Sequence, residues 1–224
     1  MTISKWLRQY GDGTKQCRII CFPFAGGSAD YYRFLSHGLG GVADVYAVQL
    51  PGRRDRIRQK PIHSVREIID QLAPILSNFS EGNSIFFGHS LGAILAYEMA
   101  TRLQKDSGSG PQHVIVSGHN APDQPSGYVP ISDLPTAAFF RELNSLGGMD
   151  PNVFGNEELM DLMEPALRSD IKANEDYRRM TNQRLLCHLS IWGGLCDPFV
   201  SHDALREWQP KCNVLNYEKE AIKL

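Results

Sequence analysis

The sequence predicts an α/β fold: a mostly parallel sheet flanked by helices, with a helical lid inserted, in a single domain over residues 1–224. Three observations point there. Apolar runs of strand length alternate with helical patterns along most of the chain. The alternation fails once, between roughly Tyr128 and Asn182, where two helical patterns follow each other without a strand. A length of 224 residues with 42% hydrophobic content is enough for one sizeable core and gives no reason to divide it.

The strand-like runs are Cys17 to Phe24, Ala43 to Leu50, Ser84 to Gly88, His113 to Gly118, Leu185 to Trp192 and Asn213 to Tyr217. Between the second and third, Val65, Ile68, Ile69, Leu72, Leu76 and Phe79 recur at three- and four-residue intervals, which predicts a helix with one buried face. Ser64 with Glu67 forms a capping box at its start, and Pro74 predicts a kink or a helix in two pieces. In the insertion, about 128–182, the helical patterns are Thr136 to Leu146 and Glu157 to Met180, with Gly147, Gly148 and Pro151 as breakers between them. Phe139, Phe140, Leu143 and Leu146 on the first and Leu159, Leu162, Met163 and Leu167 on the second exceed what one helix needs against a sheet. A lid over a pocket follows; two helices simply packed on the core is the alternative.

Composition narrows the partners. Lys+Arg 23 against Asp+Glu 25 gives a net charge of -2, so no positive field exists to condense on nucleic acid or anionic lipid. A small-molecule or protein partner is favoured. The five cysteines are odd in number and form no CxxC pair, which argues against a disulfide framework and a metal knuckle and for a reducing cytoplasm. The start, MTISKWLRQYGDG, has no apolar run of the length that a signal peptide or spanning helix needs.

Chemistry enters at Gly88-His89-Ser90-Leu91-Gly92, a G-x-S-x-G pentapeptide with a strand-like run before it and a helical pattern, Ala93 to Ala100, after it. In that context the serine sits on a strained turn that only small neighbours permit, and its hydroxyl is exposed at a helix N-terminus. Ser90 is therefore the candidate nucleophile. His89 is not its base, because neighbouring side chains on so tight a turn point apart. Attack on a thioester or ester creates an oxyanion, and each preorganised backbone N–H is worth about 3–4 kcal/mol to it. Leu91, the residue after the nucleophile, supplies one donor. The turn Phe22-Pro23-Phe24-Ala25-Gly26-Gly27-Ser28 supplies the other, assigned to the Ala25 N–H; the alternatives are a plain strand-to-helix turn and a phosphate-binding loop, the latter lacking the remaining glycine and Lys spacing of a nucleotide fingerprint.

Several segments together resemble the type II thioesterases of non-ribosomal peptide and polyketide assembly lines, within the α/β-hydrolase superfamily. They are FPFAGGS at Phe22 to Ser28, QLPGRRDR at Gln49 to Arg56, GHSLGA at Gly88 to Ala93 and SGHNAP at Ser117 to Pro122. LRSDIKANEDY at Leu167 to Tyr177 resembles the lid helix of that family, and GGLCDPFV at Gly193 to Val200, followed by Trp208, its acid-bearing loop. The resemblance implies hydrolysis of misprimed or stalled acyl groups from the phosphopantetheine arms of acyl or peptidyl carrier domains, as in antibiotic or siderophore biosynthesis. It implies a cytoplasmic monomer with no cofactor of its own and no metal. Asp197, just after the run ending at Trp192, matches the acid of the triad, with the task of holding an imidazole in the right tautomer. An Asp-Pro pair is also a common turn starter.

The family's triad histidine follows the last strand in a Gly-Gly-His-Phe segment. Here Asn213-Val-Leu-Asn-Tyr217 is followed by Glu218-Lys-Glu-Ala-Ile-Lys-Leu224, and no histidine follows His202. His37, His63, His113, His119 and His188 are poorly placed by the predicted elements, and His202 reads as a solvated helix position. This departure leaves two expectations, a chain truncated or altered at its end or a protein without the family's general base. Besides an editing thioesterase, a chain-releasing thioesterase and a pseudo-hydrolase that binds carrier proteins without turnover therefore stay open. The run Arg53, Arg54, Arg56, Arg58 and Lys60, tempered by Asp55, reads either as an electrostatic guide for acidic carrier domains or as a loop whose Arg53 and Arg56 bond to the core.

Overall fold

A computed structural model describes residues 4–77, 83–124, 129–145, 147, 153, 155–194, 197 and 199–216. The six expected strands are present as β2 (Cys17–Phe22), β3 (Ala43–Val48), β4 (Ser84–His89), β5 (His113–Ser117), β6 (Leu185–Trp192) and β7 (Cys212–Asn216). They lie parallel, and an additional strand, β1 (Leu7–Tyr10), pairs antiparallel with β3, giving the order β1-β3-β2-β4-β5-β6-β7. Sequence patterning missed β1 because it is a four-residue edge strand, LRQY, of which only Leu7 is buried. Its register, Leu7 opposite Val48, also brings Trp6 into the core.

Alternation along the central strands feeds two cores. Ile20 and Phe22 of β2 with Tyr46 and Val48 of β3 face one side, while Cys21 with Val45 and Ala47 face the other. A sheet covered on both faces explains why β3 is buried at every position. Asp44, the one acid in it, is accommodated because its carboxylate accepts the Gly13 and Lys15 N–H groups at 2.9 and 2.8 Å.

The larger core is covered by α2 (Val65–Leu76) and α3 (Leu91–Ser107). The apolar face of α2, from Val65 through Ile68, Ile69 and Leu72 to Leu76, is buried, and Ser64 caps its start by accepting the Glu67 N–H. The helix is a single element despite Pro74, which lies so near the C-terminus that only one ladder bond is lost. Phe79 falls outside the described residues. Helix α3 is buried around most of its circumference and ends on Gly108 in the left-handed conformation. On the opposite face a 3-10 turn at 29–32 leads into α1 (Arg33–Leu39), a surface helix with no fully buried residue.

Between β5 and β6 come α4 (Thr136–Ser145) and α5 (Glu157–Glu175), and α6 (His202–Arg206) follows β6. The second inserted helix stops at Glu175, five residues before the expected Met180, where Tyr177 and Met180 instead donate to the buried Glu98 of α3. The inserted pair has its own apolar cluster, Ile131, Phe139, Phe140, Leu143 and Leu167, with Ala25 packed against it. Among the described residues, no helix is long and apolar enough to cross a membrane.

Candidate active site

Ser90 joins β4 to α3 with φ 53° and ψ −125°, one of two non-glycine residues with positive φ among those described. Such a conformation costs about 1–3 kcal/mol and persists only where the surroundings over-determine it. Both flanking glycines do so by close approach. A Cβ on Gly88 would lie 1.9 Å from the Gly92 carbonyl oxygen, and one on Gly92 would lie 2.2 Å from that of Phe22. The second contact seats the first turn of α3 directly on the end of β2. From the other side, the Ser90 N–H donates to the Ser117 carbonyl at 2.8 Å.

His89 turns away from this centre. Its Nδ1 is 3.1 Å from Ser117 Oγ, and its ring packs against Gly118, where a Cβ would come within 2.6 Å of it. Burial pushes its pKa down, and the Asp197 charge opposes that shift. A packing role beside the elbow accounts for these contacts.

The turn after β2 is held from several directions. Gly27 donates to the Phe24 carbonyl at 2.8 Å, closing a turn in which Gly26 has φ +76°. Gly26 N–H donates to Asp170 Oδ2 at 2.8 Å, and Ala29 N–H donates to Gln49 Oε1 at 3.0 Å. Arg53 Nη1 donates to the Gly27 carbonyl at 3.0 Å, while its two terminal nitrogens grip Asp170 at 2.6 and 2.8 Å. Both partners of this ion pair are buried. Among the described residues, the Ala25 N–H meets no acceptor. The Leu91 N–H opens α3 and has no partner within the helix. The two expected oxyanion donors thus come from segments that the Gly92 approach places together.

Asp197 lies in the loop after β6. Its Oδ1 accepts the Phe199 and Val200 N–H groups at 2.9 and 3.1 Å, and its own N–H reaches the Gly194 carbonyl at 3.4 Å. The buried Trp208 ties the neighbouring segment down by donating Nε1–H to the His119 carbonyl at 2.9 Å. None of the seven histidines hydrogen-bonds to Ser90 Oγ or to Asp197 among the described residues. His37, His63 and His202 are exposed. His113 and His188 face each other across β5 and β6, with ring centroids 5.9 Å apart, near the start of β5. His119 is enclosed, its Nδ1 2.7 Å from the Asn120 carbonyl and its Nε2 3.0 Å from Asn174 Oδ1. The segment after β7, where the resemblance puts the base, lies outside the described residues from Tyr217 onward.

Among the described residues, no group of three His, Cys, Asp or Glu side chains is placed to hold a metal ion. A cavity of about 400 Å³, between Gly108 to Gln112 and Leu186 to His188, opens at the strand starts, the end of the sheet remote from Ser90.

The basic run separates into two kinds of residue. Arg53 and Arg56 are buried, the latter donating to the Gln49 carbonyl at 2.6 Å with its guanidinium 4.1 Å over the Trp6 ring. Arg54, Arg58 and Lys60 are exposed.

A mostly parallel sheet with a serine elbow between β4 and α3 and an acid after β6 defines an α/β-hydrolase. The thioesterase domain family model matches residues 17–215, and the chain belongs to that family. It is 34% identical over 209 residues to a probable cadicidin biosynthesis thioesterase of Streptomyces griseus, spanning 93% of this chain and 57% of that protein. It is also 34% identical to the thioesterase PikA5 of Streptomyces venezuelae, over 91% of this chain and 73% of the relative. Among solved structures, BorB, the type II thioesterase of the borrelidin cluster, superposes with a TM-score of 0.87 at 34% identity, covering 96% of this chain and 89% of BorB.

Sequence reasoning missed the partnership of Arg53 with Asp170. Each lay in a segment noted for its resemblance, but 117 residues separate them and no local pattern pairs such positions.

Proposed function

We propose that this chain hydrolyses acyl thioesters carried on phosphopantetheine arms of carrier-protein domains, with Ser90 as nucleophile, Asp197 as the acid of the triad, and the Ala25 and Leu91 N–H groups as oxyanion donors. The observation that carries this reading is the left-handed Ser90 at the junction of β4 and α3, seated beside a turn whose Ala25 N–H has no acceptor among the described residues. In such a site the Ser90 hydroxyl attacks the thioester carbonyl, the two N–H groups stabilise the tetrahedral oxyanion, and the pantetheine thiol departs. Water then releases the acyl group. No cofactor enters: phosphopantetheine arrives attached to the substrate.

The apolar cluster of α4 and α5 that takes in Ala25 supports a lid over an acyl site. Exposed Arg54, close to Ser28 at the rim of the turn, supports electrostatic guidance of an acidic carrier domain. We place the chain in a reducing cytoplasm, from an odd number of cysteines without a CxxC pair. We infer a monomer as the working form, which light scattering at assay concentration tests.

A second reading, carrier binding without turnover, is favoured by one observation: no described histidine hydrogen-bonds to Ser90 Oγ or to Asp197. One experiment separates the two. Acylated carrier protein is incubated with the native chain and with Ser90→Ala, and free acid and complex are both measured. Release of acid that Ser90→Ala abolishes supports hydrolysis; complex formation without release, equal in both, supports the binding reading.

A further inference from the structure

We propose that Asp170 and Arg53 are positioning residues that set the oxyanion turn, so that helix α5 is part of the catalytic frame as well as a cover over it. The proposal rests on the hydrolase reading of Ser90 and goes beyond it to residues that touch no substrate. Asp170 takes the Gly26 N–H at 2.8 Å and Arg53 at 2.6 and 2.8 Å, and Arg53 in turn holds the Gly27 carbonyl at 3.0 Å. The Ala25–Gly26 peptide unit is thereby fixed through its N–H and the Gly27–Ser28 unit through its carbonyl, and the unit between them donates its N–H to the Phe24 carbonyl at 2.8 Å. The preceding N–H, that of Ala25, is the one left free for a ligand among the described residues.

Packing follows the same line. A Cβ on Gly26 would lie 2.8 Å from Leu167 Cδ1, one turn of α5 before Asp170, so helix and turn are in direct contact through a position with φ +76°. Ala25 joins the apolar cluster that contains Leu167. A buried ion pair adds little net stability against an apolar pair of equal volume, because desolvation offsets the Coulomb gain. What it supplies is direction: a planar guanidinium and a carboxylate in two-pronged contact accept few arrangements. An oxyanion donor acts only at the right place, since a misplacement of about 1 Å can cost on the order of 100-fold in rate.

The test measures phosphonylation of Ser90 by an alkyl fluorophosphonate in three chains: native, Asp170→Asn, and the double variant Arg53→Met with Asp170→Leu. As the Ser90 O–P bond forms, the P–F bond breaks, fluoride leaves and the hydroxyl proton passes to water, while the phosphoryl oxygen occupies the oxyanion site. The double variant leaves no unpaired buried charge and keeps the test open if Asp170→Asn fails to fold. Expected is a fall in the maximal labelling rate of about 10- to 100-fold in both variants, with half-saturating probe concentration within about twofold of native. A merely structural pair moves the unfolding midpoint and leaves that rate unchanged, so a folded double variant labelled at the native rate overturns the proposal while the hydrolase reading stands. If native Ser90 takes no probe, the hydrolase reading fails instead. Amide exchange at Ala25 to Gly27 then decides the positioning: exchange faster by about tenfold or more in the variants supports it, and unchanged exchange overturns it.

Discussion

On one side of Ser90, the turn that carries Ala25 is fixed by three side chains from two distant segments: Asp170 of α5, and Gln49 and Arg53 just after β3. On the other side, Asp197 is held by N–H groups two and three residues ahead in its own loop, and no described histidine hydrogen-bonds to it. The first half of the site is therefore a tertiary structure, the second a local one. Electrostatic stabilisation of a developing oxyanion needs donors that do not reorganise, and long-range clamps provide that. A triad acid needs only to face an imidazole, and its own loop suffices to aim it. The difference teaches that the turn carrying Ala25 is fixed by distant side chains, whereas Asp197 is fixed within its own loop and no base for proton transfer hydrogen-bonds to it among the described residues.

The sharpest way to break this comparison is to supply that group. Placing the family-like segment after Tyr217 through Glu218→Gly, Lys219→Gly, Glu220→His and Ala221→Phe should raise thioester hydrolysis by about 10³-fold or more. The basis is that losing the histidine of a related triad costs about 10⁶ in kcat, while the oxyanion hole and binding alone retain about 10³–10⁴ over water. Ser90→Ala in the same background should remove the gain. Hydrolysis by the native chain at ordinary enzymatic rates would show that a base is already in place, and His202→Ala would then report whether it is the exposed histidine at the start of α6.

The elbow and the turn after β2 meet at Gly92, which seats α3 on the backbone of Phe22 and Pro23. Gly92→Ala puts a methyl group against main-chain atoms, which cannot step aside as a flexible side chain does. Destabilisation of about 1–3 kcal/mol is expected from overpacking of this kind, read as a lower urea midpoint. Ser90 labelling should fall with it. A native midpoint and native labelling in Gly92→Ala would mean that the elbow and the turn are not rigidly joined.

Much of this was legible in the sequence. The parallel strands announced themselves as apolar runs, and the elbow as glycines two residues either side of a serine between a strand and a helix. Strand β1 was not, because LRQY is too short and mixed for a period to register. The inward turn of Arg53 and Arg56 was left open as one of two readings, since a run of cations looks alike whether its side chains face water or a buried carboxylate. The Asp170 partnership needed the fold itself: α5 had to be laid across the end of β2 before positions 53 and 170 could meet.

The clamp also divides the inserted helix. From Ala166 to Ala173, α5 is anchored by Ala166, Leu167, Asp170 and Ala173, all buried, whereas Leu162 one turn before Pro165 and Ala166 is 56% exposed. Pro165 removes a ladder bond between the halves. Hydrogen exchange should accordingly show less protection in Glu157 to Met163 than in Ala166 to Ala173, with the difference reduced when Asp170→Asn loosens the second half. Equal protection in the native chain would mean that the whole helix moves, or stays, as one piece.

The smallest expected effect concerns the seam where the two sides touch. His119 receives Trp208 on its carbonyl and places its ring against Asn174 of α5, so acid side and lid helix share one enclosed imidazole. Burial pushes its pKa down, against the hydrogen bonds to Asn120 and Asn174 that favour its charged form, and burial does the same to His89. In the unfolded chain a histidine titrates near about 6.5. Below that value, and above the lowered folded one, the unfolded state binds more protons than the native state, so stability rises with pH across this window. The contribution is complete above pH of about 6.5 and is lost as pH falls through the window. Glu98 works in the opposite sense, because burial raises its pKa and its contribution is lost as pH rises toward the folded value. A bare pH profile therefore mixes the two, and the informative quantity is the difference between native chain and His119→Gln. Urea midpoints measured at pH 7.5 and 5.5 should fall more for the native chain on acidification than for the variant. An equal fall in both would assign the acid sensitivity to His89, on the elbow itself, and remove His119 as the group that couples the lid helix to the acid side.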